Sequence, residues 1–358
     1  MKRALFAAAL LLFLLAVPAH AEELPDLIDF GAVADAAPSE ATEILGTPSA
    51  ADGDFNAGLE KLWAAAKNAF PDALRDALRP LAAIVAVTLL CALAESFAPS
   101  AGETAAFAGC LAVAVVGAQD VQSVLALGSA TLDRLSEFDR VLLPTMTTAA
   151  AASGAPGPAG AVWAASALFS DLLLSAADRL ILPLICGFTA AGCAAAVLGE
   201  KRIDGAVKLL QWSARTLLRA LVLAFTAYLA VTRALGAASD AAAVKTAKAA
   251  LSAVPVVGRT LSDASEALVA GAGLLRAAVG VYGLLAVLAA LLLPVLRLAL
   301  RCLAFRAAAA VCSGVAGERI AGLIGRLGTA YSLLLGLVSA AAAIEFLAII
   351  SLIRTVTP

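Results

Sequence analysis

Histidine is nearly absent from this 358-residue chain: the only one, His20, lies at the end of the apolar N-terminus. A chain whose body lacks imidazole has no histidine general base, and it lacks the commonest zinc ligand. Most His-based catalysis and most zinc sites are thereby excluded. Charge is scarce as well, at 15% of residues, where a soluble domain keeps about 25%. Too few polar residues remain to cover several globular cores. Hydrophobic residues make up 62% and mean hydropathy is +0.95, so much of the surface must face lipid. A net charge of −2 gives no electrostatic footprint for nucleic acid. Aromatics are few, at 5%, and Ala and Leu fill the apolar runs instead.

Close cysteine pairs are also missing. The six cysteines (91, 110, 186, 193, 302 and 312) fall in or beside apolar segments with no CxxC spacing. They read as small buried hydrophobes, with a disulfide between membrane helices as the alternative. No GxxxxGK[ST] loop, nucleophile–base set or specific pair of carboxylates occurs. The sequence therefore predicts no enzyme and no cofactor.

What is present begins with Lys2-Arg3, an apolar run from Ala4 to Val17, and Ala19-His20-Ala21. That order of n-region, h-region and small-x-small site reads 1–21 as a secretory signal peptide; an uncleaved anchor helix is the other reading. Either places the following segment outside the cytoplasm. Residues 22–60 hold ten acidic side chains and no Lys or Arg, and read as a flexible acidic arm. Residues 59–79 predict one or two amphipathic helices broken at Pro71, with Trp63 and Phe70 toward the membrane. The extracytoplasmic part is thus 22–79, and 80–358 forms a multi-span membrane domain.

Apolar runs of spanning length recur near 80–98, 105–128, 160–177, 180–198, 216–236 and 276–293, with a weaker one near 295–316 and a last near 332–353. Amphipathic stretches lie between them at 131–143, 200–215, 240–254, 260–275 and 317–331. Orientation does not close. Lys201, Arg202, Lys208 and Arg215 favour a cytoplasmic 200–215. Four spans separate that stretch from 22–78, and an even number returns the chain to the side it left. A re-entrant segment would resolve the conflict.

A weak duplication runs through the membrane domain. Pro144, Gly160 and Pro183 recur as Pro255, Gly271 and Pro294, and Arg202-Ile203-x-Gly205 recurs as Arg319-Ile320-x-Gly322. The two repeats would be 131–236 and 242–354; coincidence is the alternative, since Pro and Gly are common enough here to match by chance. Paired Pro/Gly interruptions in two halves point to a transporter-like centre. The fold class predicted is all-α: a polytopic transmembrane helix bundle with interrupted or re-entrant segments and an internal two-fold repeat.

Charges inside apolar runs are functional candidates, because burying one in a membrane costs about 2.5–3.5 kcal/mol on insertion scales. Glu345, well inside the last run, is the leading buried carboxylate. Arg297 and Arg301, one helical turn apart, could line a pore or bind a partner, or snorkel to headgroups. Glu95, Asp120 and Asp178 read as span-end charges.

The segment 243–283 is the most distinctive. Lys245, Lys248 and Ser252 share one helical face, and Pro255 and Gly258 bracket a turn. Ser262, Asp263 and Glu266 form a helix-start pattern, and Gly271, Gly273 and Gly280 leave notches for close helix packing. These residues, from Ala243-Val244-Lys245-Thr246-Ala247-Lys248 through Val254-Pro255-Val256-Val257-Gly258 to Gly280-Val281, resemble the stage III sporulation protein AE family of endospore-forming bacteria. Arg259 departs from the pattern, where a small residue is expected, and bears on how tightly the turn packs. The resemblance implies a multi-pass subunit in the cell membrane, specifically the mother-cell-derived outer forespore membrane. There it would belong to a channel complex linking mother cell and forespore. Its implied partners are a secretion-type ATPase and ring-forming proteins, besides membrane lipid. A secondary transporter with a two-fold repeat is the competing expectation.

Overall fold

Apolar stripes much longer than one membrane crossing build this fold. The computed structural model describes residues 33, 35–46, 55–98, 100, 102–152, 172, 175–199, 202–252, 258–314 and 317–354. Side chains are described for these except at 143, 147, 149–152, 178, 229, 231–252, 258–278 and 351–354. The signal-peptide segment 1–21, most of the 160–177 run, Gly160 and Pro255 lie outside the described residues. Seven α-helices follow in order, with no strand among the described residues. They are α1 (Ser39–Leu45), α2 (Phe55–Phe97), α3 (Gly102–Ala152), α4 (Leu182–Leu198), α5 (Ile203–Ser252), α6 (Gly258–Cys312) and α7 (Glu318–Arg354). Five segments, in α2, α3, α4, α6 and α7, are long and apolar enough to cross a membrane.

The helices are longer than the sequence divides them. α2 runs 43 residues through Pro71 and Pro80, so it crosses the boundary predicted at 79/80 and is not broken at Pro71. Its buried positions (Gly58, Leu62, Ala73, Ala77, Ile84 and Thr88) form one stripe that continues past both prolines. An interior proline costs a helix about 3 kcal/mol; a face held continuously by tertiary packing outweighs that. The predicted runs 276–293 and 295–316 likewise join through Pro294 into α6, and α3 continues eight residues past Pro144. Pro183 behaves differently from its proposed counterpart Pro294. It stands in the first turn of α4, directly after a π-helical turn, Ala177–Ile181. That wider turn accommodates a ring that cannot donate to the preceding turn.

α6 and α7 form the central hairpin. Their facing residues, with those of α3, make one core that includes Phe138, Leu298, Phe305, Ile324, Tyr331 and Leu334. Small residues let the outer helices approach it: Gly117 of α3 meets Leu327, Gly283 of α6 meets Leu142, and Gly58 of α2 meets Leu285. α4 ends at Gly199, whose φ of +67° is left-handed, and a Cβ there would meet the Arg319 guanidinium at 2.7 Å.

The acidic arm is not wholly flexible. α1 docks beside α6 and buries Ala41, Val33 ahead of it is buried too, and Glu40 pairs with Arg134 of α3. Lys61 donates to the Leu45 carbonyl at 3.1 Å, and the Tyr282 hydroxyl reaches the Gly46 carbonyl at 3.4 Å. The segment cannot fold alone, but a ready-made groove supplies the apolar partner it lacks.

Candidate functional site: a buried polar junction of three helices

Three central helices meet at a polar cluster. Asp120 of α3 accepts at its Oδ2 from Arg301 Nε of α6 (3.3 Å) and from the Tyr331 hydroxyl of α7. The ion pair is nearly enclosed, with side-chain exposure of 11% for Arg301 and 12% for Asp120. Tyr331 is fully buried, its ring tilted against Phe305 at a centroid distance of 4.8 Å. The residues are 181 and 211 positions from Asp120, so only the assembled bundle makes the cluster. Desolvation of two charges is tolerable here because each finds a partner, and the phenol adds a charge-assisted hydrogen bond to the same oxygen.

A second polar tie lies nearer the end of the bundle. Arg326 of α7 pairs with Asp204 of α5 at 2.6 Å and donates to the Gly192 carbonyl of α4 at 3.1 Å. Arg306 donates to Ser332 Oγ at 3.2 Å across the α6–α7 hairpin. Together these contacts tie α3, α4, α5 and α6 to α7. Chemically, the set neutralises charge and fixes helix register. Among the described residues no group of three His, Cys, Asp or Glu is placed to hold a metal ion.

The predicted charges are distributed as follows. Arg301 enters the junction, with Asp120 beside it as a core residue and not as a span-end charge. Arg297 lies one turn away with its Nε buried and without a hydrogen-bond partner among the described residues. Glu345 is buried within α7, 4% exposed. Of the family-pattern positions, Lys245 and Lys248 fall on the backbone of α5, and Gly258, Ser262, Asp263, Glu266, Gly271 and Gly273 on the first turns of α6. The helix is therefore already formed at Gly258, ahead of the Ser262 pattern. Gly280 is buried. Two residues escaped the sequence reading. Tyr331 carries no charge to flag it, and Asp139, 4% exposed, sits in a stretch that reads as an exposed amphipathic face.

No curated protein and no solved structure matches the chain. The family profile of stage III sporulation protein AE matches residues 43–356, from α1 to the last residues of the chain and including the whole of the 243–283 pattern. The chain is a helical membrane protein and belongs to the stage III sporulation protein AE family.

Proposed function

We propose that this protein is a multi-pass subunit of a secretion-like channel complex joining mother cell and forespore during sporulation. The single observation that carries the reading is the family match over 43–356. It resides in the mother-cell-derived outer forespore membrane and acts through protein partners, a secretion-type ATPase and ring-forming proteins, with no turnover of its own. The fold is suited to such work. A central hairpin tied by the buried Arg301–Asp120 pair and the half-exposed Arg326–Asp204 pair gives a rigid body, and exposed amphipathic faces on α2 and α5 offer docking surface. Crosslinking in sporulating cells followed by affinity purification tests the proposal. The ring-forming and ATPase subunits should co-purify in a crosslinker-dependent manner; recovery of the chain alone would overturn it.

A further inference from the structure

We propose that bilayer hydrocarbon grips only one half of the bundle's length. The other half, with α1 at its side, stands in water as a lobe whose core is the most apolar run among the described residues.

Contacts between helices fix the depth of each segment. At one end gather the C-termini of α2, α4 and α6 and the N-termini of α3, α5 and α7, where Gly102 faces Glu95 and Gly199 faces Arg319. Moving inward, Gly109 packs on Cys91 and Ile320, and then Gly117 on Leu327. Asp120 meets Arg301 and Tyr331 near the middle. Farther on, Leu142 packs on Gly283 and Leu285 on Gly58, and Tyr282 reaches Gly46 beyond α1. The far half therefore contains 55–79 of α2, 129–146 of α3 and 279–294 of α6.

The two halves carry opposite surfaces. In the near half, residues 80–94 of α2, 104–119 of α3 and 180–198 of α4 include no charged side chain. Leu90, Leu93, Leu111, Val115 and Leu303 project there unburied. The uncharged 180–198 stretch is about 28 Å of helix, against about 30 Å of bilayer hydrocarbon. Exposed Glu95, Glu103, Arg202, Glu318 and Arg319 close the band at its end. In the far half, α2 exposes Lys61, Lys67, Asp72, Arg75 and Asp76, and α3 exposes Asp133, Arg134, Glu137 and Arg140. Burying that many charges in hydrocarbon at about 2.5–3.5 kcal/mol each is untenable.

The apolar run of α6 passes through this charged half without an exposed residue from Val279 to Pro294. Only 17% of the most apolar window of α2 is buried, against 61% of that of α6. The run that looks most like a lipid-facing span is protein core. Two helices interrupt the band: on α5, Lys208, Arg215 and Arg219 are exposed at its depth and lie on one helical face, so the band is open on that side, and on α6 the exposed Arg306 donates to Ser332 across the hairpin.

The test uses the full chain in phosphatidylcholine nanodiscs and needs no sporulation partner, so its failure is separate from failure of the complex reading. A water-soluble carbodiimide with an amine nucleophile should modify Asp72, Asp76, Asp133 and Glu137 to within about twofold of the denatured chain, read by mass spectrometry. Protection of these four by about tenfold or more would place the far half in hydrocarbon and overturn the proposal. As a second arm, Leu90→Cys and Leu111→Cys, both outward-facing, should react with an impermeant maleimide at least about tenfold more slowly than Lys67→Cys, over the background of the unsubstituted chain. Equal rates would likewise overturn it.

Discussion

Asp120 is the residue on which the centre of the bundle turns, because two donors from two other helices converge on one of its oxygens. Removing one member of a buried ion pair leaves the other charged and unpartnered, at about 3–5 kcal/mol. Asp120→Leu and Arg301→Met should therefore each lower stability by that order, measured as resistance to SDS unfolding in mixed micelles. The double substitution should recover most of the loss, since an apolar pair of similar volume has no charge to strand. Tyr331→Phe should cost about 1.5–3 kcal/mol, the range for one hydrogen bond to a charged group. Single losses that simply add in the double variant would show that the pair does not couple. The sequence marks Arg301 through the cost of an intramembrane charge and marks Asp120 at a span edge. Nothing local links them across 181 residues, and a phenol in an amphipathic stretch gives no signal of burial. Glu345 was legible for the opposite reason: a lone carboxylate deep in an apolar run has few places to go but inward.

Element boundaries were the least legible part, because polarity changes along these helices while the backbone does not. α2 is amphipathic before Pro80 and uniformly apolar after it, yet one buried stripe passes through both prolines. If Pro71 only interrupts a hydrogen bond within a continuous helix, Pro71→Ala should raise stability, by up to about 3 kcal/mol. A marked loss in thermal unfolding would instead mean that the proline shapes a needed kink. The same blindness applied to α1, whose composition forbids folding in isolation but not docking. α5 shows what pattern alone can still deliver. Its exposed cations Lys208, Arg215 and Arg219 share a face, while Leu209, Trp212 and Leu223 are exposed beside them. Cations at membrane depth persist where they meet water or a polar partner. Lys208→Cys and Arg215→Cys should thus react readily with an impermeant maleimide in nanodiscs, while Leu111→Cys at comparable depth stays protected. Protection of all three would turn the α5 face toward lipid.

At the scale of the whole molecule, class and family were legible at once and depth was not. Lipid tails are as apolar as leucine, so hydropathy gives the same value for a helix facing lipid and for one wrapped in protein. The crossing count does not close for the same reason, and the directions of the described helices bear on it. α2 descends from the α1 end, α3 returns and α4 descends again, so the α4–α5 junction with Arg202 lies at the end opposite α1. With α1 outside, as the signal-like N-terminus predicts, Arg202 comes to the cytoplasmic side and the positive-inside preference is met at the start of α5. Side-specific labelling decides the point. In intact protoplasts an impermeant maleimide should label Glu43→Cys and leave Arg202→Cys untouched until the membrane is permeabilised. The reverse pattern would put the charged lobe in the cytoplasm and remove the signal-sequence reading, while leaving the opposed ends of the bundle unchanged.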